Sequence, residues 1–187
     1  AIIGIRIKAQ LGLNETEFGL LAGTPILTGS LARIFLGIWT DRYGGRVVFT
    51  LNMIAASIAT ALLVFAHTYT QMLVAALGVG LAGGSFAVGI AYVSRFYQSG
   101  QQGTALGIFG AGNVGAAVTK FLAPFALVAW GWHAVALIWA AALAVMAIVF
   151  WFTTTDDPVT AERRRTGEAP KAYAMELAPL KDIRVWR

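Results

Sequence analysis

The sequence predicts an all-α integral membrane protein, a helical bundle with five transmembrane helices. Three observations carry that prediction. The chain is 58% hydrophobic and only 12% charged, and its mean hydropathy is +0.70. Between Phe18 and Phe152 the only acidic or basic residues besides histidine are Arg33, Asp41, Arg42, Arg46, Arg95 and Lys120. A spanning helix needs about 20 mostly apolar residues, and the long intervals between these charges supply them.

The elements follow in order. Asn14-Glu-Thr-Glu17 has the form of a capping box, with Asn14 as N-cap and Glu17 at the third helical position. It opens a first span over roughly residues 17–39, which the charged, paired-glycine stretch Asp41–Arg46 ends. A second span covers 47–67, and the polar turn His67-Thr-Tyr-Thr70 leads into a third over 71–96. Tyr97–Gly103 turns the chain into a fourth span over 104–128. Trp130-Gly-Trp-His133 makes a tight turn with two aromatics suited to the headgroup level, and the fifth span covers 133–153.

Basic residues set the orientation. Arg42, Arg46, Arg95, Arg163, Arg164, Arg165, Lys171, Lys181, Arg184 and Arg187 fall on one side, with Arg6 and Lys8 on the other. The positive-inside rule makes the rich side cytoplasmic. Residues 1–153 are read as the bundle and 154–187 as a cytoplasmic linker carrying a short amphipathic helix near Tyr173–Leu180. The apolar opening Ala1-Ile-Ile-Gly-Ile5 without a methionine, and the polar close at Arg187, read as a fragment cut at both ends.

Several function classes fall away. With no cysteine there is no disulfide framework or thiolate metal site, and His67 and His133 stand too far apart to suggest a metal cluster. No nucleophile–base pair appears in the spans, so neither an enzyme nor a cofactor or metal is expected. The net charge of +5 sits at helix ends and in the tail, as topology determinants do, which argues against a nucleic-acid partner and for the lipid bilayer as the medium.

Residues 107–121, GIFGAGNVGAAVTKF, place an asparagine and a lysine in an otherwise apolar, glycine-rich span. Gly103, Gly107, Ala111, Gly115 and Thr119 form one small-residue stripe, suited to close helix packing. Gly110, Asn113, Ala117, Lys120 and Pro124 form another, since steps of three and four stay on one helix face. Arg33 lies eight residues before Asp41, about 12 Å from the cytoplasmic boundary at helical rise. Phe86 and Asn113 each lie about 14 Å from that boundary by the same measure. A charge at that depth is costly and by default functional, the alternative being a structural arginine satisfied by backbone carbonyls of neighbouring helices. An arginine fork, an amide and an aromatic ring at one level suit a small planar anion. A sugar would need more hydroxyl-matching polar groups, and an organic cation would need an intramembrane carboxylate, which the spans lack.

Two segments carry a resemblance. Gly37-x-x-x-Asp41-Arg42-x-Gly44-Gly45-Arg46 resembles the cytoplasmic loop signature of the major facilitator superfamily, departing at Gly45, where a basic residue is common. Residues 107–124, with Gly107, Gly110, Gly112 and Gly115 around Asn113, resemble the glycine-rich signature of that superfamily's nitrate/nitrite porters. The stretch before it, GLAGGSFAVGIAYVSRFY, is similar to the preceding helix of that family. The resemblance implies a major-facilitator-type bundle in which the five spans are helices two to six of twelve. It implies secondary transport of nitrate, and of nitrite, across a bacterial cytoplasmic membrane by alternating access. Arg33, Phe86 and Asn113 would bind the anion, and Asp41 with Arg42 would act as a cytoplasmic latch or, alternatively, as a topology-setting loop. Lys120 would serve proton coupling or the access path, with symport and exchange both open. A carrier of another small anion, such as an organic carboxylate, and a non-transporting sensor or scaffold are the alternatives.

Overall fold

The structure, a computed structural model, describes residues 2–167, which are helical with no strand among them. Helix α1 (Ile2–Leu11) precedes the first expected span, and the chain turns at Gly12, whose φ of +61° favours glycine. Helix α2 (Glu15–Tyr43) opens as the sequence predicts. Asn14 Oδ1 accepts from the Glu17 backbone at 2.8 Å, and Glu17 Oε2 accepts from the Asn14 N–H at 3.0 Å. Gly44, at φ +91°, ends α2, and α3 (Gly45–Leu62) follows directly, closing in a 3-10 turn at Leu63–Phe65.

A second capping box, Thr68 with Gln71, opens α4 (Tyr69–Gly80). A 3-10 segment, Leu81–Gly84, joins it to α5 (Ser85–Ser94), so residues 69–94 form one rod. Helices α6 (Ser99–Ala111) and α7 (Val114–Thr153) run on from one another. Together they span 55 residues, far beyond one bilayer crossing. Gly131, with φ 74° and ψ 168°, breaks α7 into two limbs, and Trp139 Nε1 donates to Thr119 Oγ1 at 3.3 Å from one limb to the other. The described residues hold four helices long and apolar enough to cross a membrane, and with the last broken at Gly131 their five limbs fall where the hydrophobic runs predict.

Within the stretch expected as linker, α8 (Pro158–Thr166) is a docked helix. Asp157 caps its N-terminus, Pro158 stands at its first position and Gly167 ends it in the left-handed region. The amphipathic helix expected at Tyr173–Leu180 lies outside the described residues.

Two apolar clusters hold the bundle. One gathers Leu13, Leu21, Met72, Ala76 and Trp132 near the turns between α1 and α2 and within α7. The other joins Ala32 and Leu36 of α2 to Val48 of α3 and Val88 of α5. Glycine decides how closely α2 meets the 69–94 rod. A Cβ on Gly80 would lie 2.6 Å from the Pro25 carbonyl oxygen, and one on Gly29 would lie 2.8 Å from the Gly80 carbonyl oxygen. The backbones therefore touch, as small residues permit in a bilayer. The stripe expected to pack behaves differently: a Cβ at Gly103, Gly107 or Gly115 would meet nothing within 4 Å. The tight seam lies on α2 and the α4–α5 rod, and the glycines of the α6–α7 stripe are open while its Thr119 meets Trp139.

Candidate functional site

The Gly29–Gly80–Gly83 seam positions Arg33. Because the two backbones meet there, the Arg33 side chain reaches across and donates from Nε to the Gly83 carbonyl oxygen at 3.2 Å. That carbonyl belongs to the 3-10 segment Leu81–Gly84, where glycines at 83 and 84 weaken the regular α-helix. The two Nη groups of Arg33 have no hydrogen-bond or ion-pair partner among the described residues. Arg33 lines a recess of about 310 Å³ together with Pro25, Ile26, Gly29, Ser30, Val79 and Gly83. One edge of the guanidinium is anchored, and the forked end has no partner among the described residues.

Phe86 begins the helical turn just past that segment, 41% exposed. Its ring lies 5.4 Å from the Phe109 ring of α6, tilted by 37°. Asn113 stands four residues beyond Phe109, at the junction of α6 and α7. There the chain tightens from α to 3-10 bonding: the N–H groups of Gly112, Asn113, Gly115 and Ala116 each donate to the carbonyl three residues earlier at 3.0 Å. The Asn113 side chain is exposed and makes no hydrogen bond among the described residues. The 69–94 rod and the α6–α7 junction thus each carry a short 3-10 interruption, a feature frequent at functional hinges. The predicted trio is linked through intermediates: Arg33 touches Gly83, and Phe86 touches Phe109 one turn before Asn113. Lys120, seven residues along α7, is exposed and has no partner among the described residues. Of the signature glycines, Gly107, Gly110 and Gly115 face open space, while Gly112 lies in the tightened turn. The described residues hold no group of three or more histidine and carboxylate side chains able to bind a metal.

The cytoplasmic loop builds a second constellation. Asp41 pairs with Arg95 Nη2, and the Asp41 carbonyl accepts from Arg163 of α8. Arg95 Nη1 lies 3.4 Å from Asp157 Oδ1 and donates to the Thr40 carbonyl at 3.3 Å. Asp157 is fully buried and also accepts from the Thr160 N–H at 3.0 Å, from Thr160 Oγ1 at 2.8 Å and from the Gly45 N–H at 3.4 Å. Arg46 turns the other way, donating to the Trp151 carbonyl with its guanidinium 4.3 Å from the Trp151 ring centre. Gly37 has open space around it, and Gly44 lies against Thr160.

A sequence profile described as Major Facilitator Superfamily matches residues 1–187. The chain belongs to the Major Facilitator Superfamily. Among curated relatives, it is 39% identical over its whole length to the "Probable nitrate/nitrite antiporter NarK1" of Thermus thermophilus, covering 43% of that protein. It is 34% identical over 90% of its length to the "Probable nitrate/nitrite transporter NarK2" of Mycobacterium tuberculosis, covering 45%. With the "Nitrite extrusion protein" of Bacillus subtilis the identity is 31% over 77% of the chain and 36% of the relative. The chain thus spans less than half the length of these curated relatives.

Within the Major Facilitator Superfamily loop motif, the departure at Gly45 now has a cause. A Cβ there would lie 2.5 Å from the Tyr92 ring, so the packing of α3 on α5 excludes a larger residue. Sequence reasoning took Arg95 for a topology charge and missed Asp157 and Thr160. The signal for the latter two was present, since Asp157-Pro158 is an N-cap followed by a first-turn proline, with Gly167 beyond. Phe109 was passed over too, although it lies one helical turn from Asn113 on the same face.

Proposed function

We propose that the full-length protein is a secondary transporter of nitrate, and of nitrite, working by alternating access around the recess at Arg33. The observation that carries this reading is the divided arginine: Nε is tied to the Gly83 carbonyl, both Nη groups are without a partner among the described residues, and Arg33 lines a recess. A guanidinium so held offers two parallel donors to a planar oxyanion, a geometry a lysine could not supply. In this reading Phe86, three residues beyond Gly83 and 41% exposed, supplies the ring, and Asn113, whose amide makes no hydrogen bond among the described residues, supplies the neutral donor as the site closes on a flat anion. The names of the relatives point to the same substrates. The work is movement of the anion between two compartments, without covalent change.

In this reading the 3-10 interruptions at Leu81–Gly84 and Gly112–Ala116 are the places where the two helices bend as access alternates. Asp41 and Arg95, with Asp157 behind them, hold the cytoplasmic ends of α2, α5 and α8 together in the state described. Residues 1–153 form the bundle, and the following segment leads on the cytoplasmic side towards the remainder of the transporter. Lys120 lies outward of Asn113 on the same face, where it serves the access path or the coupling of proton movement to uptake.

The test is flux in liposomes containing the full-length protein. Nitrate uptake against an imposed pH gradient, and nitrate/nitrite exchange without one, are measured separately, with competing carboxylates added in excess. Nitrate-selective flux is expected. Carboxylate flux in its place would move the reading to the other small-anion class, and absence of any flux with intact nitrate binding would favour a sensor. Lys120→Gln that loses proton-driven uptake but keeps exchange would assign Lys120 to coupling.

A further inference from the structure

We infer that Phe109 is a positioning residue of the anion site, holding the Phe86 ring in the orientation on which a planar anion stacks. The inference rests on the anion reading of Arg33 and Phe86 and adds the element that fixes its geometry.

Phe109 is gripped from below. A Cβ on Gly89 would lie 2.2 Å from Phe109 Cζ and 2.6 Å from Cε2, so the tip of the ring sits directly on the Gly89 backbone. Gly89 is itself buried. It lies three residues after Phe86, about one helical turn on the same face of α5. The Phe109 ring therefore rests on Gly89 and leans on Phe86 at once, with 5.4 Å between ring centres. Phe86 keeps an exposed side, and the Phe109 ring limits rotation on the other. Phe109 also belongs to the last turn of α6, and its carbonyl accepts the first of the shortened bonds at the α6–α7 junction. The orientation of Phe86 is thereby tied to the helix that carries Asn113.

This arrangement gives the site a way to read shape. A flat trigonal oxyanion lies on a ring with all its atoms near van der Waals distance, whereas a pyramidal oxyanion of equal charge touches through fewer. Electrostatics from Arg33 acts on both anions. Ring orientation favours the flat one.

The experiment uses the full-length protein in liposomes, with nitrate as the planar probe and chlorate as the pyramidal competitor. Phe109→Leu keeps an apolar side chain over Gly89 but removes the flat ring. It is expected to raise the KM for nitrate by about twofold to tenfold, the range an aromatic pair contributes. Turnover and the chlorate inhibition constant should stay near wild type, so the preference for nitrate over chlorate falls by the same factor. Phe109→Met, which fills the same space with a flexible chain, is expected to do likewise and serves if the leucine variant is poorly inserted. An unchanged preference in the folded variants, or an equal loss for both anions, would overturn the role of Phe109. A wild-type protein that does not bind nitrate would overturn the anion reading itself.

Discussion

Arg33 and Gly83, fifty residues apart, meet through a single hydrogen bond of 3.2 Å from the guanidinium Nε to the carbonyl oxygen. The bond tethers one edge of the guanidinium and leaves its two Nη groups without a partner among the described residues. It exists because three glycines bring two backbones into contact beneath it. Displacing either helix would change where the free end of the arginine points.

The glycine seam gives the first prediction. Gly80→Leu should sharply lower expression and thermal stability in detergent, because its first side-chain carbon already lies 2.6 Å from the Pro25 carbonyl oxygen. Overpacking of this kind typically costs about 1–3 kcal/mol, and a leucine against rigid backbone belongs at the upper end. Gly107→Leu, facing open space in this half, should leave expression near wild type and reduce turnover. Equal loss of expression in both variants would show that the α6–α7 stripe is as structural as the α2 seam.

Asp157 gives the second. Its carboxylate is fully buried beneath the Arg95 guanidinium and also takes the hydrogen bonds of Thr160 and Gly45. Removing one partner of a buried ion pair costs about 3–5 kcal/mol, and the exposed Asp41 partner of Arg95 offsets part of that loss. Asp157→Ala should therefore lower the thermal midpoint markedly, and the double variant with Arg95→Met should recover some of it. The check is a double-mutant cycle on thermal unfolding in detergent. Additive losses would mean that the two groups do not stabilise one another.

The third prediction concerns Gly45. Gly45→Arg, which restores the basic residue common in the loop signature, should destabilise this protein because the Tyr92 side chain fills the space. Gly45→Arg combined with Tyr92→Ala should regain expression relative to the single variant. Expression and monodispersity by size-exclusion chromatography read the outcome, and a well-folded single variant would refute the steric account.

The spans, the capping box at Asn14 and the turn at Gly131 were legible because each rests on local signals: apolar run length, a polar cap, and glycine between interfacial tryptophans. The contact of Arg33 with a neighbouring helix was not legible, since its partner Gly83 lies fifty residues on. The 3-10 interruption at Leu81–Gly84 was not either, because it arises where α2 presses on Gly80 and Gly83, a tertiary event with no periodicity of its own. The Arg95–Asp157 pair was hidden for the same reason, joining residues 62 positions apart. Helix α8 was readable from Asp157-Pro158 and was missed because its composition resembled a solvated linker.

The most direct test of the account is nitrate binding by the purified full-length protein, measured by isothermal titration for wild type and Arg33→Lys. Lysine keeps the charge and can reach one acceptor, but it cannot hold the Gly83 carbonyl and present a two-pronged donor set at the same time. The account predicts saturable wild-type binding, weakened roughly tenfold to a hundredfold in the lysine variant, the scale of a lost charge-assisted hydrogen bond. The lysine variant should keep its membrane insertion and fold. Nitrate affinity unchanged by Arg33→Lys would contradict the assignment of Arg33 as the anion's ligand.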